Sequence, residues 1–300
     1  MNDLQISDIL SKEDIRALRT PSNARALVIL FNNWLLIALA FAVFIVWPNP
    51  LTFIAGTILL GGRQLGLGVM LHDCSHNSFM STLKLNNIVG HFVCGAPMNT
   101  SVYDYRSYHM KHHRYAGTEK DPDIIFVDKY PVPKESLKRK LTRDITGRTG
   151  VRDTLLKLKN FDLAKSYPWV IFHALLITLL FSIGAPMAYL MWWAAELTVY
   201  PLVVRLRQIG EHGVATDRSD IDPRMNTGTT LPSWWERLLI APNHVYYHVE
   251  HHQYANIPPY NLHKLHTLLV ERGYYKDYDC VAYGFADVLR RAVKGSEAHA

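Results

Sequence analysis

The sequence predicts an all-α integral membrane protein: four transmembrane helices in two hairpins, with a cytosolic helical cap that holds a di-metal site. Three observations carry that reading. Four stretches approach the roughly 20 apolar residues a helix needs to cross a bilayer: 26–47, with no charge; 51–71, with only Arg63; 169–183; and 186–204, with only Glu196. Lys and Arg are unevenly spread along the chain. Histidines gather in two copies of His-x-x-His-His, at His109–His113 and His248–His252, with His72 and His76 where the second apolar stretch ends.

The 1–25 segment reads as cytosolic. Its SDILSKEDIRAL run suggests an amphipathic helix capped by Ser7 or Ser11. The first apolar stretch is too long and its leader too polar for a cleavable signal peptide. Turns at Pro48–Pro50 and at Ile183–Pro186 fold the four stretches into two hairpins, and neither turn carries Lys or Arg. Of the 32 basic residues, 16 fall in 72–168, 11 in 205–300 and 4 in 1–25. The positive-inside rule therefore places both termini and the long middle segment in the cytoplasm. The formal charge of +6 follows from this topology and gives no reason to expect nucleic acid.

Between the hairpins, 83–95 is apolar but too short to span, and is expected to lie on the membrane surface. The 131–160 segment, rich in Lys and Arg, reads as a cytosolic linker with short helices. Cys74, Cys94 and Cys280 have no paired spacing, which fits a reducing compartment. The whole chain, 1–300, reads as one integrated domain, with 72–168 and 205–300 forming the cap.

The topology gives the histidines their meaning. On a helix, positions i, i+3 and i+4 share a face, so each triplet is expected to aim three imidazoles at a common point. His212 follows the fourth stretch by eight residues, which puts His72, His76, His109, His112, His113, His212, His248, His251 and His252 on one side of the bilayer. Nine imidazoles exceed the needs of one metal and suit two. A structural zinc site would be closed by four ligands, usually with Cys. An all-imidazole set points instead to a redox-active pair with positions open to oxygen, and iron fits that best.

These motifs carry a resemblance. HDCSH, HMKHH and HVEHH, with HHRYAGTEKDPD, RLRQIGEHG and YHVEHHQYANIPPYNLHKLHTLL around them, resemble the three histidine boxes of the membrane fatty acid desaturase and hydroxylase superfamily from about residue 26 to residue 270. The resemblance implies a four-helix membrane stem, a cytosolic cap and a non-haem di-iron centre that uses O₂ and two electrons to break an unactivated C–H bond. It makes the nine histidines the iron ligands. Gln208 matches a position where relatives hold metal through water with an amide, although Gln stands here in place of Asn.

Other residues admit two readings each. Asp121, Glu211 and Glu250 are candidates to accept imidazole N–H bonds and orient the rings. Asp73, Asp104 and Asp123 carry less weight, and surface charge or helix capping is the alternative for all six. His244 is a possible tenth ligand, four residues before His248. His91, His173, His263, His266 and His299 read as structural or exposed. Arg63 and Glu196 each lie eight residues from the cytoplasmic end of their stretch, at similar depth, and could pair beside a substrate tunnel. Otherwise Arg63 would snorkel and Glu196 be protonated. Trp192, Trp193 and Tyr189 could line the tunnel or face lipid.

The function expected is desaturation of a fatty acyl chain. A hydroxylase or ketolase of a lipid, carotenoid or specialised acyl chain is the alternative on the same scaffold. A His-rich metal transporter or storage protein is the reading outside enzymes, but a transporter would set its ligands near the membrane midplane. The substrate would be a lipid or acyl thioester. The electrons would come from a separate ferredoxin, rubredoxin or cytochrome-type protein, and the location expected is a bacterial inner membrane.

Overall fold

The computed structural model describes residues 6–295. It is mostly helical, with one two-stranded parallel sheet pairing Thr229–Thr230 with Val281–Ala282. Three helices are long and apolar enough to cross a membrane: Asn23–Val46, Pro50–Ser75 and Leu163–Ser182.

Each begins on a residue suited to the task. Ser22 caps the first, and its side chain accepts the Arg25 N–H. Asn49 caps the second, taking the Leu51 and Thr52 N–H groups with Pro50 at the first helical position. Asp162 caps the third at Ala164. That cap corrects the expected start at 169: Pro168 lies inside the helix, not before it. In the N-terminal segment Ser11 forms the capping box with Asp14, while Ser7 lies inside the short helix Ile6–Ile9.

The fourth apolar stretch is a 26-residue helical run in four pieces: α-helix Ala188–Ala194, π-helix Ala195–Val199, α-helix Tyr200–Gln208 and π-helix Ile209–Gly213. Each π turn admits an extra residue, and such turns concentrate at functional sites. Glu196 lies in the first and His212 in the second.

Pro50–Ser75 is the axle of the molecule. From Leu60 to Ser75 every residue but Gly68 is buried. The Trp234–Leu239 helix rides on it at Gly62, where a Cβ would lie 2.6 Å from the Leu239 carbonyl oxygen. The apolar interior forms two clusters. One lies among the long helices around Leu60, Met70, Met191 and Trp192. The other lies around Leu206, Ile209, Val249 and Leu265.

The 131–160 segment is no linker. It holds two 12-residue helices, Lys134–Ile145 and Arg148–Lys159, clamped to the fourth run. Buried Asp144 accepts from Arg205 and Thr149. Gly150 sits so close to Leu197 that a Cβ would meet its carbonyl at 2.2 Å. Residues 83–95 form a short α-helix, Leu83–Ile88, that runs into a π-helix, Val89–Gly95. Leu83, Ile88 and Phe92 are exposed on it, while Asn86, Val89 and Cys94 turn inward.

Candidate metal centre

Four segments deliver the histidines. His72 lies in the last turn of the axle helix and His76 is its C-cap. The carbonyls left open there are taken by side chains: Arg106 Nε donates to Ser75 O at 2.7 Å and Asn86 Nδ2 to Cys74 O at 2.8 Å. His109, His112 and His113 stand on helix Val102–Tyr115, opened by Ser101. His248, His251 and His252 stand on the short helix His248–Gln253, and His212 projects from the second π turn.

All nine converge, in two groups. His72, His76, His109, His113 and His251 each place a ring nitrogen within 4.8 Å of the others. His112, His212, His248 and His252 do the same. The expectation that each triplet aims at one point is corrected. Each divides two and one: His109 and His113 join the first group and His112 the second, while His248 and His252 join the second and His251 the first. Helix geometry explains the exchange, because i and i+4 are about 40° apart while i+3 lies on the other side of i by about 60°.

The donor set suits cations. His212 Nδ1 lies 3.1 Å from the Asn226 carbonyl, which can only accept, so the proton is on Nδ1. His112 Nδ1 is held by Asp121 Oδ1 at 2.8 Å. Both Nε2 atoms are then lone pairs, yet they face each other at 3.1 Å. His248 Nε2 also approaches His212 Nε2, at 2.9 Å, so three ring nitrogens crowd one small space, an arrangement that suits a shared cation. His76 Nε2 and His252 Nε2, one in each group, are buried without a hydrogen-bond partner, which suits a nitrogen aimed at a cation. Burial, with neighbouring imidazoles adding to it, pushes His113 down to about 2 and His212 to about 3. Burial likewise drives His248, His251 and His252 well below the ordinary range, so the rings stay neutral. No cysteine belongs to either group.

Around them the carboxylates sort differently from the sequence reading. Asp121 grips His112 as expected, and Asp73, given less weight, grips His72 Nδ1 at 2.9 Å from the next position in the chain. Glu211 accepts from Arg207 at 2.9 Å and stands 3.6 Å from His248 Nδ1, beyond hydrogen-bond reach. Burial lifts its carboxyl to about 7 against the pull of Arg207.

Glu250, expected to orient a grouped histidine, instead accepts from His266 Nδ1, Tyr275 Oη at 2.6 Å and Thr229 Oγ1 at 2.5 Å. That contact gives His266 a place as an anchor of the His248–Gln253 helix. Asp123 takes the Tyr108 hydroxyl and reaches His112 Nδ1 only at 3.6 Å. Asp104 is exposed in the first turn of its helix.

Comparison with known proteins decides the family. Residues 47–283 match the family model for fatty acid desaturases. The chain belongs to the fatty acid desaturase family. Dihydrorhizobitoxine desaturase from Bradyrhizobium elkanii is 24% identical over 253 residues, covering 77% of this chain and 70% of that protein. An sn-1 oleoyl-lipid 12-desaturase from Picosynechococcus is 25% identical over 243 residues, covering 73% and 67%. An sn-1 acyl-lipid omega-3 desaturase (ferredoxin) from Nostoc is 30% identical over 97 residues, covering 32% and 27%. The protein is thus an oxidoreductase of lipid metabolism, and the transport or storage reading falls.

The remaining positions of this desaturase are placed as follows. Arg63 and Glu196 do not pair. The Arg63 guanidinium donates to the Leu238 carbonyl, to the Arg237 carbonyl at 3.4 Å and to Asn33 Oδ1 at 3.4 Å. Glu196 meets Lys157 Nζ at 3.2 Å. Equal depth said nothing about which side of each helix the charge occupies.

Trp192 is fully buried among the long helices, its carbonyl accepting from Gln64 at 3.0 Å, and Trp193 is half-buried against His173. Tyr189 Oη bonds His173 Nδ1 at 2.8 Å. His244 joins neither group: its φ of +66° takes it out of the helix that would have aligned it with His248. Gln208 ends the α-helix just before the π turn of His212 and is half-buried. His263 bonds the Tyr247 hydroxyl, His91 packs on Phe92, and His299 lies outside the described residues. The Asn226 carbonyl and the Lys157–Glu196 contact were missed, because neither leaves a mark in local sequence.

Proposed function

We propose that this protein is an O₂- and electron-dependent desaturase of a fatty acyl chain, with one iron ion in each histidine group. The observation that carries the reading is the convergence of nine imidazoles in two groups, with His112 and His212 Nε2 to Nε2 at 3.1 Å and no thiolate in either group. On this reading all nine are ligands, and Gln208 beside His212 is a candidate to reach one ion through water. Bound iron would supply the activation of O₂. The balance is one O₂, two electrons and two protons, which leave with the two substrate hydrogens as two waters.

The chain's own residues bind, orient and shield. Asp73, Asp121 and the Asn226 carbonyl fix the ring planes of His72, His112 and His212. Glu250, through His266, Tyr275 and Thr229, fixes the helix that brings three more. The apolar packing around them keeps bulk water away from a reacting methylene pair.

We further propose that the broken run 188–208 is a fourth span, that the spans form two hairpins, and that the whole chain is one domain. The histidine groups then lie on the cytoplasmic side of a bacterial inner membrane, and a separate ferredoxin, rubredoxin or cytochrome-type protein delivers electrons. The Nostoc relative, named for ferredoxin, supports the first of these. The relatives' names cover an oleoyl lipid and dihydrorhizobitoxine, so a specialised substrate is the second reading, with hydroxylation or ketone formation on the same scaffold as the third.

Gas chromatography–mass spectrometry of lipids from expressing cells, beside a His112→Ala control, tests the proposal. A species two mass units lighter and absent from the control supports desaturation, and one sixteen units heavier supports hydroxylation. Metal analysis of the purified protein tests iron against zinc and two ions against one.

A further inference from the structure

A groove of about 360 Å³ lies between the first long helix and the Trp234–Leu239 helix. Ile29 and Asn32 form one lip, Trp234 and Leu238 the other, and Arg63 with Asn33 the floor. At its inner end stand Asn243 and His244, and these two residues also line a second space of only about 10 Å³ whose other walls include His72, His248 and His251. One pair of residues therefore separates an open groove from histidines of both groups. The largest cavity, about 1020 Å³, has His266 and Tyr275 in its wall but no histidine of either group.

The groove opens on the lipid side. Val28, Phe31 and Leu35, which flank its first lip, are 58%, 65% and 42% exposed on a helix apolar enough to cross a membrane, and Trp234 on the other lip is 77% exposed. An exposed Trp beside a span marks the membrane–water interface. Inside, the lining turns polar. The Arg63 side chain is nine-tenths buried or more, faces no carboxylate among the described residues, and leaves Nε without a partner. Asn33 and Asn243 stand near it, their Nδ2 groups given to the Arg63 and Gly66 carbonyls, while exposed Asn32 and Arg237 line the outer part. Exposed apolar flanks beside a buried guanidinium that keeps one N–H open match the acyl chain of a bilayer lipid, whose methylenes would run inward along Ile29 and Leu238.

The inner end is closed by Asn243 and His244. Asn243 and His244 hold φ values of +57° and +66°, a costly pair of conformations for residues with a Cβ. Asn243 is tied to the axle helix by Nδ2 to Gly66 O at 3.0 Å, while His244 gives its carbonyl to the Tyr247 N–H at 3.2 Å, stacks on Tyr247 and makes a long contact to Tyr246 Oη at 3.4 Å. Arg63, by holding the Arg237 and Leu238 carbonyls, fixes the helix from which this pair hangs. Arg63 is thus a positioning residue.

We propose that the substrate is an acyl chain carried by a bilayer lipid, and that it reaches the histidine groups sideways through this groove, past Asn243 and His244. The inference rests on the desaturase reading for what happens to the chain, but not for where the chain binds. The test is photo-crosslinking of the full-length protein in phosphatidylethanolamine–phosphatidylglycerol vesicles. The probe is a phosphatidylcholine with a diazirine in one acyl chain, and adducts are mapped by mass spectrometry. The expected result is labelling at Leu238 and along Asn243–Tyr246. Asn32→Trp and Ile29→Trp, which fill the mouth, should each lower it roughly tenfold, while Phe31→Trp on the outer face leaves it unchanged.

Adducts confined to outer residues such as Phe31 and Leu35 would overturn the proposal. So would undiminished labelling in both filled variants, or equal labelling by a soluble diazirine acyl thioester kept out of the vesicles. Groove labelling in a protein that alters no acyl chain would leave this inference standing and sink the desaturase reading alone.

Discussion

His112 and His212, 100 residues apart in the chain, face each other Nε2 to Nε2 at 3.1 Å, while their Nδ1 atoms are held by Asp121 and by the Asn226 carbonyl. If the two groups hold ions as proposed, the metal-free protein is the less stable form, because the crowded ring nitrogens lose the cation they share. Removing metal with a chelator should lower stability by about 2–4 kcal/mol per site. His212→Ala should leave one ion per chain in place of two. Thermal melts followed beside elemental analysis read both, and a melting temperature indifferent to chelation would refute the coupling.

The carboxylates that touch the rings make a graded prediction. Asp73→Asn and Asp121→Asn keep shape but weaken the hold on His72 and His112, and each should cost 10–100-fold in metal affinity or turnover. Asp104→Asn, exposed in a helix first turn, should change stability by less than about 0.5 kcal/mol. Metal titrations of the three variants rank them, and an Asp104 variant as impaired as the others would show that proximity in sequence was the better guide.

Two double-mutant cycles separate the intramembrane charges. Arg63 with Glu196 should show no coupling beyond about 0.5 kcal/mol. Lys157 with Glu196 should show about 0.5–1 kcal/mol, modest because the lysine is 39% exposed. Arg63→Met alone should be severe, since it leaves the partly buried Arg237 and Leu238 carbonyls without their donor.

Acid should unfold the metal-free protein early. His113 and His212 ionise at about 2 and 3 when folded, against an ordinary value of 6.5. Above that ordinary value folded and unfolded rings are both neutral, and their stability contribution is intact. As pH falls from 6.5 toward 3 the unfolded chain takes up protons that the folded rings refuse, and stability is lost. Melting temperature measured in chelator at pH 7.5 and pH 5 should drop at the lower value, and a flat profile contradicts the burial of these rings.

The site was more legible in the sequence than the fold around it. Paired histidines one helical turn apart leave a signal that survives any tertiary arrangement, so His109 to His113 and His248 to His252 could be read directly. What could not be read was rotation about the helix axes. Glu250 stands between His248 and His251 yet turns toward His266, and Asp73 beside His72 turns toward its neighbour. Arg63 and Glu196 share a depth and differ in azimuth. The fourth apolar stretch read as a plain helix because hydropathy does not register a π turn. The 131–160 segment read as a linker because Lys and Arg on its outer face mask the contacts made by Asp144 and Gly150.

The exchange of one histidine between the two triplets sets an order on biosynthesis. Four members of the first group, His72, His76, His109 and His113, leave the ribosome long before the fifth, His251, while the second group has only His112 until His212, His248 and His252 are made. The first group cannot close until His251 is made, nor the second until His252 follows it. If these groups are ion sites, a nascent chain carries four of the first group's five imidazoles from residue 113 until His251 is made. Whichever divalent ion is most abundant at the membrane surface during that interval has the first opportunity to bind them, so the metal found in purified protein will depend on the growth medium as well as on the ligands.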